Sequence, residues 1–62
     1  MKVEELLKLL EKGGWALSRT RGSHRQFKHS TKPGTVTVAG KPSAEVPKGT
    51  LNAILKQSGI KN

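Results

Sequence analysis

"WALSRTRGSHRQFKH", residues 15–29, is the stretch on which the fold turns. Trp15 and Leu17 stand on alternate positions, and Phe27 is the one large apolar residue of the second half. Alternation on both sides of a glycine-containing break is the pattern of a β-hairpin. The spacing predicts strands over 15–20 and 23–29, with "RGS" supplying the turn. If Trp15, Leu17 and Phe27 point inward, odd positions face the core. Ser18, Thr20, His24, Gln26 and Lys28 then face outward, because side chains alternate along a strand. His24 is therefore expected on a polar, open sheet face, opposite Thr20 across the turn. His29, of the other parity, is expected on the helix side or at the hairpin end.

The flanking segments complete the sheet and cover it. "TVTVA", residues 35–39, alternates strictly and is β-branched, so it predicts a third strand with Val36 and Val38 inward and Thr35 and Thr37 outward. "STKPG" separates it from the hairpin. Residues 2–12 predict a helix: Val3, Leu6, Leu7 and Leu10 recur at i, i+3, i+4 and i+7, Glu4 precedes Lys8 by four, and Gly13-Gly14 provides the stop. Residues 40–46 form a connecting loop. A second helix is expected from about Pro47 to Ser58, with Leu51, Ile54, Leu55 and Ser58 on one side, Pro47 at its first position and Gly59 after it. These apolar residues suffice for one sheet face only, so both helices should pack on the same side. The expected fold is α+β, α-β-β-β-α, with a three-stranded antiparallel sheet covered on one face by two helices, in a single domain over residues 1–62.

Composition narrows the function. The chain has no cysteine and no aspartate, and only two histidines, so disulfides and a metal site are both unexpected. No apolar run approaches a membrane span, and a signal-peptide core is lacking, which makes a cytoplasmic protein the expectation. Twelve Lys and Arg against four Glu give a net charge of +8, a surplus that attracts polyanions. Nucleic acid is the obvious polyanion, although an acidic protein would also satisfy the charge. Trp15 and Phe27 are both needed in the core, so no stacking platform of exposed rings is available for bases.

Around the turn, Arg19, Arg21, Arg25 and Lys28 surround His24. Three readings stand: a solvated hairpin, a grip on nucleic acid, or a site that cuts it. Imidazole is the side chain best suited to proton exchange near pH 7. Gly22, without a side chain, would let a phosphodiester backbone approach closely. "PKGT", residues 47–50, places Lys48 and free helix-start N–H groups where a phosphate could bind, or simply starts a helix with Thr50 as a cap.

Taken together, "LLKLLEKGGW", "RGSHRQFKH", "GTVTV" and "PKGTLNAILKQSGI" resemble the HicA toxin family of small mRNA interferases, over nearly the whole chain. The resemblance implies a fold similar to the double-stranded RNA-binding domain and a metal-independent endoribonuclease that needs no cofactor. It implies that His24 is the catalytic residue and that a HicB-type antitoxin covers the active face. Arg21, Gly22, Ser23, Arg25, Gln26, Lys28 and Lys48 are the expected RNA-binding residues, with Arg21, Arg25 or Lys28 stabilising charge on the phosphorus. Many relatives place a further histidine between the third strand and "PKGT", where this chain reads "AGKPSAE". The alternative is a non-catalytic module that binds double-stranded RNA by its shape.

Overall fold

In the hairpin, the chain turns where glycine permits it. A computed structural model describes residues 1–60, so Lys61 and Asn62, the last residues of the expected domain, lie outside the described residues. The elements are α1 (Val3–Lys12), β1 (Trp15–Arg21), β2 (His24–His29), β3 (Val36–Ala39) and α2 (Lys48–Ser58). The strands form one antiparallel sheet in the order β1-β2-β3. This is the α-β-β-β-α arrangement expected from the sequence, with each boundary within one or two residues.

α1 buries the stripe that its periodicity marks, with Val3, Leu6 and Leu10 inaccessible and Leu7 half-buried. Its first N–H groups find acceptors outside the helix. Val3 N–H donates to the Ala44 carbonyl at 2.9 Å and Glu4 N–H to the Pro42 carbonyl at 3.0 Å. The Glu5 carboxylate accepts from Lys2 N–H at 2.8 Å. Segment 41–46 is thereby bound to the helix start, where orphan donors always need partners. Val46 N–H donates to the Met1 carbonyl, and the Met1 ammonium pairs with Glu45 at 3.1 Å. Among the described residues this is the only ion pair, so Glu4 and Lys8 do not form the expected contact. At the other end the left-handed residue is Gly14 (φ +93°), one position later than a cap at Gly13 (φ −82°). α2 starts at Lys48, one residue after Pro47, and closes on Gly59 in the left-handed conformation.

The core lies between the sheet and both helices. It comprises Val3, Leu6, Leu10, Trp15, Phe27, Val36, Val38, Val46 and Ile54, with Leu51, Leu55, Met1 and Ile60 packed against it. Val46 was expected only as loop. Burying such side chains contributes about 1.5–3 kcal/mol each, which is the main stabilising term for so short a chain. The Trp15 indole N–H donates to the Ser58 carbonyl at 3.2 Å, joining β1 to the end of α2. Ser58 is fully buried, and its hydroxyl donates to the Leu55 carbonyl at 3.2 Å.

Leu17 departs from expectation. It pairs with Phe27, on the helix side, yet is 54% exposed. β1 is an outer strand, α2 packs toward β3 at the other edge, and the helical cover over β1 is complete at Trp15 but not at Leu17. The ladder also slips between Leu17 and Arg19, leaving Ser18 as the extra residue of a β-bulge.

Candidate nucleic-acid interface

The bulge decides which side chains accompany His24. Before it, Ala16 pairs with Lys28; after it, Arg19 pairs with Gln26, Thr20 with Arg25 and Arg21 with His24. On β3, Gln26 faces Thr37, and His24 faces Ala39. Arg25 and Phe27 pair with Val38 and Val36, both buried under the helices, so His24, Gln26 and Lys28 lie on the opposite, open face. Thr20 was expected beside His24 on that face. The extra residue instead sends Thr20 to the helix side and brings Arg19 and Arg21 round to the open one. Arg21, not Thr20, is the cross-strand neighbour of His24.

The turn itself explains Gly22. Arg21 and His24 pair across two residues, Gly22 and Ser23, with Gly22 at φ +60° and Ser23 outside the positive-φ region. Glycine at the first central position of a two-residue hairpin turn is the requirement of type II′ geometry. A Cβ on Gly22 would meet nothing within 4 Å, so the backbone here is also open to a close approach. Ser23 and Gly22 are exposed, as is His24, and among the described residues no hydrogen bond or ion pair holds the His24 ring.

Arg25 is used differently from its neighbours. Half-buried on the helix side, its guanidinium donates to the Gly40 carbonyl at 2.9 Å. Gly40 N–H in turn donates to the Ser23 carbonyl at 3.2 Å. The residues on both sides of His24 are thus tied to one glycine beyond β3, which fixes the turn from behind. Lys48 opens α2 in the helical layer and is exposed, without being brought onto the face that carries His24. The PKGT segment makes no side-chain cap for α2, so Thr50 does not cap it.

His29 ends the same strand on the other face. Its Nδ1 accepts from the N–H groups of Thr31 at 3.1 Å and Lys32 at 3.2 Å. Backbone N–H groups only donate, so the remaining proton sits on Nε2, which donates to the Gly13 carbonyl at 3.1 Å. The ring meets Trp15 edge-on, with centroids 5.2 Å apart. Nearby, the Lys32 ammonium donates to the Ser58 carbonyl at 3.1 Å, a cation at the C-terminal end of α2 where the helix dipole favours it.

Charge is distributed unevenly over these layers. The four glutamates are Glu4, Glu5 and Glu11 on α1 and Glu45 in the loop between β3 and α2, so the sheet and its turns contain no acid at all. The open face carries Arg19, Arg21 and Lys28 around His24 with nothing to offset them. Such a surface, unenclosed by any cavity among the described residues, suits an extended anion lying across it. Among the described residues no three His, Cys, Asp or Glu side chains come together. No helix is long and apolar enough to cross a membrane.

No curated protein is similar enough to this chain to count as a relative. The family model described as HicA toxin of bacterial toxin–antitoxin systems, however, matches residues 3–60, from the first residue of α1 to the residue after Gly59. That span includes the whole sheet, the glycine turn and His24. The chain belongs to the HicA toxin family.

Proposed function

We propose that this chain is the RNA-cleaving toxin of a HicA–HicB pair, a single domain acting in the cytoplasm on mRNA, with His24 as its proton-transferring residue. The observation that carries the reading is the Arg21–His24 cross-strand pair. It sets an unbonded imidazole beside a guanidinium on an acid-free face, at a turn whose backbone a phosphodiester can reach. Arg21, Lys28 and the Gly22–Ser23 backbone hold the strand, and Gln26 lines it. Arg25 supports the turn through Gly40 rather than meeting the phosphate. Lys48 adds positive charge from the helical layer.

His24 takes the proton of the ribose 2′-hydroxyl as general base. The 2′-oxygen attacks the adjacent phosphorus, and the bond to the 5′-oxygen of the next nucleotide breaks. The leaving oxygen takes a proton from water or from the imidazolium. Arg21 stabilises the charge that builds on the non-bridging oxygens. The products are a 2′,3′-cyclic phosphate and a free 5′-hydroxyl. An antitoxin of HicB type, placed over the open sheet face, would block both the phosphate grip and His24.

One observation favours a second reading, a non-catalytic module for double-stranded RNA. Acid–base cleavage usually employs two proton-handling groups, and His29 is at the other end of β2, on the other face, with both nitrogens engaged. The test is a cleavage assay with EDTA present, using end-labelled RNA and a matched strand with a 2′-deoxy nucleotide at the scissile position. We expect cyclic-phosphate ends from the first and no cut at the substituted position in the second. Cleavage of the deoxy strand would make water the nucleophile, and retention of intact RNA by the purified protein would leave the binding module.

A further inference from the structure

The bulge at Ser18 has a consequence beyond placing Arg21. Three side chains, one from each strand, form a row on the open face next to His24: Arg19, Gln26 and Thr37. Among the described residues none of the three side chains has a hydrogen-bond partner. Gln26 is half-buried in the centre of the sheet, yet no buried polar atom is left unsatisfied, so its amide reaches solvent. It follows His24 by two positions on β2, which places it about 7 Å along the strand, on the same face.

A bulge disrupts a ladder, so its presence asks for a reason. Keeping arginines out of the core is not that reason. The helix side of β1 beyond Leu17 is already solvated, with Thr20 exposed there, so a guanidinium at that position would not be buried. On the open face the extra residue changes the company of Gln26 as well as that of His24. Without it, Ser18 would stand where Arg19 stands.

We propose that the Arg19–Gln26–Thr37 row is a nucleotide subsite for single-stranded RNA beside the scissile position, with Gln26 its specificity-determining residue. The proposal rests on the cleavage reading above and deepens it. A primary amide offers one donor pair and one acceptor side by side, the pattern that reads an exposed base edge. Arg19 holds the phosphate of that nucleotide, and the Thr37 hydroxyl, able to donate or accept, borders the base or its 2′-hydroxyl. Single strands are the fitting substrate because their base edges can be splayed onto a sheet, whereas an A-form duplex keeps its Watson–Crick edges paired and its major groove too deep and narrow for side chains.

The experiment maps cleavage sites on a pool of unstructured RNAs by sequencing the new ends, for the unaltered protein, Gln26→Ala and Arg19→Ala. The unaltered protein should prefer one base at a single position beside the cut. Gln26→Ala should lose that preference at least tenfold at that position alone. Arg19→Ala should cut all sites less, with the preference kept, and its RNA affinity should show a salt slope smaller by about one. A preferred base that survives in Gln26→Ala, or no base preference beside the cut in the unaltered protein, overturns the subsite. If the unaltered protein does not cut, the cleavage reading has failed instead. Binding of short single-stranded oligonucleotides differing at one base then decides the subsite alone: a preference that Gln26→Ala abolishes supports it, and equal binding by both proteins ends it.

Discussion

β2 carries two histidines, one at each end, and they are employed in opposite ways. His29 is fully engaged: three N–H or O–H groups of Thr31 and Lys32 face Nδ1, Gly13 accepts from Nε2, and Trp15 packs against the ring. His24 touches none of these kinds of partner, projects from the uncovered face and has a guanidinium-bearing strand residue opposite it. Even the glycines differ. Gly14 is close to His29, where a Cβ would come within 2.7 Å of Nε2, while Gly22 beside His24 has open space around it. The difference teaches that residue type says little about role. A side chain whose hydrogen bonds are complete stabilises the fold, and one left free at a rigid turn is available for chemistry.

The comparison predicts how each end responds to substitution. The largest stability loss belongs to the engaged end: Trp15→Ala removes a fully buried ring and its bond to Ser58, costing about 3–5 kcal/mol. A chain of this size has little more than that to lose, so thermal melting should show an unfolded protein. His29→Ala should cost about 0.5–1.5 kcal/mol by denaturant titration, through the lost hydrogen bonds to Thr31, Lys32 and Gly13, whose exposed groups then turn to water. A loss under 0.5 kcal/mol would mean that the His29 network does not hold the two ends of the core together. Gly22→Ala, at φ +60°, should cost about 1 kcal/mol and also slow cleavage, because the turn that presents His24 must distort. Lys28→Ala should leave melting unchanged and reduce the salt slope of RNA binding by about one. An unaltered slope would take Lys28 off the path of the RNA.

Much of this was legible in the chain. Phe27 alone fixed the parity of β2, and with it the outward face of His24 and the inward face of His29, because a buried ring on a three-stranded sheet admits one orientation. β1 was legible only as far as Leu17. From Ser18 onward its residues are all polar, so no apolar side chain reports the parity, and a bulge leaves no other mark in composition. The shift at Ser18 therefore moved Thr20, Arg19 and Arg21 without warning. The Arg21–His24 pair did have a sign, since Gly at the first place of a two-residue turn fixes which residues close it. Val46 and Met1 escaped because each is an isolated apolar residue, brought to the core by the clamp of segment 41–46 on the start of α1 and not by any periodic pattern. Arg25 looked like one more cation of the hairpin. Its use depends on Gly40, which only the folded chain brings near.

The central claim is that His24 is free for chemistry because nothing in the fold depends on it. The most direct measurement is RNA cleavage and thermal melting of purified His24→Ala, beside the unaltered protein. The account predicts a melting free energy changed by less than about 0.5 kcal/mol and a cleavage rate lower by about 10²-fold or more. Undiminished cleavage by the folded variant would contradict it.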